Sequence, residues 1–91
     1  MGKDDKKEVD PNDAEAQKNA GNAAFQAGKN TEAIEYYSRA IELDGKVASY
    51  YSNRAFAYYT MREFKKGLED SETAIATDAK FARAYVRKAQ C

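Results

Sequence analysis

Along the chain, small and apolar residues return at three- and four-residue steps, in stretches separated by short polar breaks. The second stretch is the clearest. Ala33, Ile34, Tyr37, Ala40 and Ile41 fall on one face of a helix predicted over about Thr31 to Leu43. The stretch before it carries Ala20, Ala23, Ala24 and Ala27, with Phe25 beside them, and predicts a helix from about Ala14 to Ala27. Asp13 is its candidate N-cap and Glu15 suits the first-turn dipole. Gly28 ends it, and Lys29–Asn30 make the turn. A third helix is expected from about Val47 to Met61 with Tyr51, Ala55 and Tyr58 inward, then a turn at Arg62–Glu63. A fourth runs from about Phe64 to Thr77, with Gly67, Leu68, Ser71, Ala74 and Ile75 inward, and a fifth starts near Phe81 or Ala82 with Tyr85 and Ala89 as core contacts. Before all of these, residues 1–13 form a polar lead that holds the only proline and is expected to be disordered.

The stretches are copies of one another. Ala14, Ala48 and Ala82 lie 34 residues apart. Gly21, Ala55 and Ala89 keep the same spacing, as do Ala40 with Ala74, Ile41 with Ile75, and Asp44 with Asp78. Small residues at fixed phases of such a period mark stacked helical hairpins. The expected fold is therefore all-α: antiparallel helix hairpins over 14–47 and 48–81, then the first helix of a third hairpin over 82–91. Each hairpin hides its apolar face only where a neighbour stacks on it. The unpaired fifth helix is thus a route to self-association between copies of the chain.

Composition narrows the function. Apolar residues make up 43% of the 91 positions and charged ones 33%, with 15 basic and 15 acidic side chains. A net charge of zero argues against nucleic acid or an anionic membrane as a general partner. The balance hides a gradient, since the last ten residues hold Arg83, Arg87 and Lys88 and no acid. No run is long and apolar enough to span a membrane, and the lone cysteine, Cys91, fits a reducing compartment. The setting expected is the cytoplasm, with the nucleus as the alternative.

Enzyme chemistry has little to stand on. The chain lacks histidine, and Cys91 has no base beside it in sequence, so Ser–His and Cys–His pairs are excluded within it. No strand precedes a glycine loop that would cradle phosphate. Glu69, Asp70 and Glu72 form an acidic cluster without a second ligand set, read as a solvated face. No cofactor and no metal site is expected. A catalytic part, if the chain belongs to a larger enzyme, would lie beyond Cys91.

The pattern of Gln17, Gly21, Ala24, Ala33, Tyr37, Ala40 and Gly45, repeated as Tyr51, Ala55, Tyr58, Gly67, Ser71, Ala74 and Ala79, resembles the tetratricopeptide repeat (TPR) family. Ala24 stands where an aromatic is usual, Gly67 and Ser71 depart from the pattern in the second repeat, and neither hairpin ends in proline. The resemblance covers residues 14–91 and implies a protein-binding scaffold, whose fold alone names no ligand.

A line of polar residues goes further. Lys18 and Asn22 are four apart on one helix, Asn53 lies on the equivalent helix of the next hairpin, and Arg83 and Arg87 are four apart on the fifth. The set resembles the carboxylate-clamp subfamily of TPR co-chaperones, as in Hop/Sti1-like, SGT-like, protein phosphatase 5 and large-immunophilin proteins. Four of its five residues match, with Arg83 in place of the usual lysine, a flat fork for a point charge. The resemblance implies a partner, the free C-terminal Glu-Glu-Val-Asp tail of Hsp90 or Hsp70.

The chemistry is apt. A C-terminal aspartate brings two carboxylates together, which call for several cations with amide donors between them. Phe25 and Phe56 are candidate apolar pockets for an upstream aliphatic side chain, with Ser49, Ser52 and Tyr59 near the same surface. Taken singly, Lys18 and Arg87 read as ordinary solvated cations, Asn53 as a structural amide, Phe25 and Phe56 as core, and Arg54 and Lys88 as surface or packing residues. The alternative function is an assembly scaffold that binds another protein without using this line.

Overall fold

Asp13 begins the first helix as its charge and size predict. In the computed structural model, which describes residues 9–78, its carboxylate accepts the Ala16 N–H at 3.2 Å. Four helices follow: α1 (Ala14–Gln26), α2 (Asn30–Leu43), α3 (Ala48–Thr60) and α4 (Phe64–Thr77). Each lies within one residue of the span that its pattern predicts. The expected fifth helix, with Arg83, Arg87, Tyr85 and Ala89, lies outside the described residues. Helices α1 and α2 form one antiparallel hairpin, α3 and α4 a second, and α3 packs against α2 to join them.

The period is visible in the turns as well as in the sequence. After α1 the Gly28 N–H donates to Phe25 O at 3.0 Å and the Lys29 N–H to Ala24 O at 2.8 Å. After α3 the Arg62 N–H donates to Tyr59 O at 2.9 Å and the Glu63 N–H to Tyr58 O at 2.8 Å. Both are the same helix-ending turn, and both need one left-handed residue: Gly28 at φ 81° and Arg62 at φ 65°. Glycine takes that conformation without strain, whereas a residue with a Cβ does so at a cost of about 1–2 kcal/mol. Arg62→Gly is therefore expected to raise stability by about 1 kcal/mol, read as a higher urea midpoint. A lower midpoint would mean that the arginine side chain contributes more than its backbone costs.

The core is built from small residues. In the first hairpin Ala24, Ala33 and Tyr37 are buried together with Ala57 of α3, and Phe25, Ile34 and Tyr36 pack against them. In the second, Ala48 and Ala74 are buried with Tyr51 and Ile75 alongside. Gly21 is a notch for Tyr37: a Cβ there would stand 2.6 Å from the tyrosine Cε1. Of the expected inward faces of α2 and α4, Ala33, Tyr37, Ala40, Gly67, Ser71 and Ala74 are buried, and Ile34, Ile41, Leu68 and Ile75 are half-buried at the edges of those faces.

Two helices bury other faces than periodicity alone suggests. On α1 the buried residues are Gln17, Gly21 and Ala24, while Ala23 and Ala27 are exposed. Together with Ala16, Ala20 and Tyr36 these alanines line an open groove on the outer side of α1. On α3, Tyr50, Ser52 and Ala57 are buried beside Ala55, and Tyr51 and Tyr58 are only half-buried. The reason is position in the stack. Helix α3 has neighbours on both sides, α4 within its hairpin and α2 across the junction, whereas α1 packs mainly on its hairpin partner α2 and meets α3 only at its edge. Burial pushes the Tyr50 phenol above its ordinary pKa, and the charges of Glu15, Asp44 and Asp13 add to the shift.

The junction holds a charge network. Arg54 of α3 donates from Nε to Asp70 Oδ2 at 2.7 Å and from Nη2 to Asp70 Oδ1 at 2.8 Å. Its Nη1 donates to Ser38 Oγ of α2 at 2.9 Å. The Arg54 and Asp70 side chains are 21% and 9% exposed. Three helices thus meet at one guanidinium, whose charge the Asp70 hydrogen bonds stabilise further against the opposing effect of burial. The Arg54 and Lys66 cations both lie near the Tyr58 ring, at 5.9 and 5.7 Å from its centroid. Asp70 is therefore not part of a solvated acidic face. Glu69 and Glu72 are exposed, but Asp70 points inward to pair with Arg54.

Candidate peptide-binding site

Helix α1 has two open sides. The outer groove takes Ala16, Ala20 and Ala23, and the opposite side carries Lys18, Asn22 and Phe25. The second side faces along α3, as the aromatic rings show. Phe25 and Phe56 lie 5.1 Å apart by centroid and are tilted by 46°, within the centroid range of interacting aromatic pairs. The two candidate apolar contacts are thus one stack that bridges α1 and α3. One helical turn beyond Phe56, Tyr59 meets Phe64 edge-on at 5.4 Å, and Phe64 remains exposed.

Lys18 is the cation of this surface on α1. Its ammonium lies 3.4 Å from Glu15 Oε2, with the glutamate side chain 70% exposed. So long and wet a pair contributes little. Asn22, one turn further on, is half-buried, and its Oδ1 accepts the Tyr37 hydroxyl at 2.6 Å. Asn53 is half-buried on α3. Ser49 is half-buried, whereas Ser52, the residue 34 positions after Lys18, is fully buried and does not line the surface.

Five of the seven sequence-predicted site residues are described: Lys18, Asn22 and Phe25 on α1, and Asn53 and Phe56 on α3. Arg83 and Arg87 lie outside the described residues. Sequence reasoning missed the hydroxyl of Tyr37, because a core aromatic already accounts for a tyrosine there. Its signal was the choice of tyrosine over phenylalanine at a buried position, since a buried phenol needs a partner. Among the described residues no three His, Cys, Asp or Glu side chains gather as a metal site, and no helix is long and apolar enough to cross a membrane.

Small-residue helices stacked in hairpins, with a polar and aromatic line across their first helices, define a repeat scaffold of the kind that binds protein segments. A family model described as TPR repeat matches residues 21–61. The small glutamine-rich tetratricopeptide repeat-containing protein of Dictyostelium discoideum is 40% identical over 81% of this chain, which spans 22% of that relative's length. Among solved structures, the second TPR of Spaghetti (RPAP3) bound to the HSP90 peptide SRMEEVD is 36% identical. It matches over 82% of this chain and 69% of its own, with a TM-score of 0.81. The second TPR domain of human RPAP3 in complex with the HSP70 peptide SGPTIEEVD is 35% identical over 85% of this chain and 64% of its own, with a TM-score of 0.82. The chain belongs to the tetratricopeptide repeat family, and its fold closely resembles the RPAP3 modules.

Proposed function

We propose that the chain is a co-chaperone module that holds the free C-terminal acidic tail, ending Glu-Glu-Val-Asp, of Hsp90 or Hsp70. The observation that carries the reading is the surface shared by α1 and α3. Lys18, Asn22 and Asn53 sit on the two helices that the Phe25–Phe56 stack joins, and two solved relatives of this fold hold peptides with that ending. In this reading Lys18, Arg83 and Arg87 neutralise the terminal carboxylates, and the Asn22 and Asn53 amides donate to the remaining lone pairs. Phe25 and Phe56 take an aliphatic side chain upstream. The array runs as repeats over 14–47 and 48–81, with the first helix of a third over 82–91 completing the clamp. The chain's role is binding rather than catalysis, and its setting is the cytoplasm, where such tails are offered.

Calorimetric titration with SRMEEVD and SGPTIEEVD tests this. Saturable binding that weakens steeply as salt rises is expected of a site dominated by charge. Absence of binding at low salt would leave the assembly-scaffold reading.

A further inference from the structure

We propose that Tyr37 is a positioning residue of the peptide site, setting the Asn22 carboxamide with its NH2 group toward the ligand; this rests on the peptide-binding role just given. Tyr37 lies in the core at 2% exposed. Its ring is held in the Gly21 notch, where even a methyl group would overlap it. The hydroxyl is therefore a fixed donor, aimed at Asn22 Oδ1 at 2.6 Å.

An asparagine side chain left to itself rotates broadly about its last bond and presents carbonyl or NH2 with similar ease. A carboxylate accepts hydrogen bonds and donates none. Only one face of the amide suits it, and the other repels it. With the phenol donating to Oδ1, the carbonyl is directed inward and both Nδ2–H donors are left for the ligand. Orienting the amide before binding removes a cost that the complex would otherwise bear.

The second repeat supports the assignment. Thirty-four residues after Asn22 stands Phe56, and thirty-four after Tyr37 stands Ser71. At this phase, where phenylalanine replaces the amide, the tyrosine is replaced too; the amide of the second repeat, Asn53, stands at a different phase. Phenylalanine would fill the Gly21 notch as well as tyrosine does, so packing does not explain the hydroxyl.

The test uses the full 91-residue chain, the free-acid peptide SRMEEVD, and the variants Tyr37→Phe, Asn22→Ala and their combination. Tyr37→Phe keeps the ring and is expected to weaken binding by about five- to tenfold, the loss of one hydrogen bond's preorganisation. Its melting temperature should stay near that of the wild type. In the Asn22→Ala background Tyr37→Phe should change nothing further, since there is no amide left to orient. In the free protein, the Asn22 side-chain NH2 resonances should move in Tyr37→Phe.

Wild-type affinity in Tyr37→Phe would overturn the proposal, as would independent, multiplying losses in the double variant. So would a loss of binding that tracks a loss of melting temperature. A wild-type chain that binds no peptide would overturn the proposed function and this role with it, whereas wild-type binding with an unaffected Tyr37→Phe sinks the role of Tyr37 alone.

Discussion

Asp70→Ala is expected to cost the fold about 3 kcal/mol, by leaving the Arg54 guanidinium charged and without its carboxylate at the junction of three helices. For a domain of this size that lowers Tm by roughly 10–20 °C, a large share of a stability that is small to begin with. The energy of the intact pair is a different quantity. Replacing both partners together, Arg54→Met with Asp70→Leu, is expected to be nearly neutral, because two desolvated charges are then removed with their mutual attraction. Thermal melts of the single and the double variants check both statements. A single variant that melts with the wild type would mean that the pair behaves as an ordinary wet surface contact.

Arg87→Ala is expected to weaken binding of a free-acid Glu-Glu-Val-Asp peptide by about thirtyfold, the low end of truncating one partner of a desolvated charge pair. The expectation rests on the clamp pattern in the sequence, in which Arg87 is the last cation of the line. Helical content by circular dichroism should not change, since alanine keeps helix propensity at the position. Equal affinities in the variant and the wild type would remove Arg87 from the site and leave Lys18, Asn22, Asn53 and Arg83 as its polar groups.

The hairpin rhythm is legible in the sequence because every constraint on it is local or periodic. A glycine or its left-handed stand-in ends each first helix, small residues recur at the helix contacts, and Asp13 caps the first turn. What periodicity does not convey is how many neighbours a helix has. A three-to-four-residue pattern picks one buried face. It suits α2 and α4 but misleads on α3, where Tyr50 and Ala57 are buried together with Ala55 because the first hairpin and α4 enclose the helix. Asp70 was lost for a related reason. Between Glu69 and Glu72 it looks like solvated charge, although the repeat held a clue. The residues 34 positions before Arg54 and Asp70 are Ala20 and Tyr36. Two opposite charges that appear together at phases where the first repeat is apolar point to a pair.

The candidate site rests on the same kind of pattern. Lys18, Asn22 and Asn53 could be proposed because a dianionic chain end calls for cations and amides on adjacent helices, and because the family pattern supplied their phases. The contact between Phe25 and Phe56 was not available from sequence, since it depends on how closely α1 and α3 approach. The Tyr37 hydroxyl was hidden behind its own ring. The ring satisfies the repeat, and only the folded structure shows that the oxygen reaches past it to Asn22 of α1.

The central claim is that the site reads a free chain end. The most direct measurement is the affinity of SRMEEVD with a free C-terminal carboxylate against the same peptide with a C-terminal amide, at one low ionic strength. Amidation removes one negative charge and leaves every side chain in place. The account predicts that the acid binds and the amide does not within the measurable range. Equal affinity of the two peptides would contradict it, because a surface that reads only the Glu-Glu-Val-Asp side chains has no use for cations and amides gathered around a terminus.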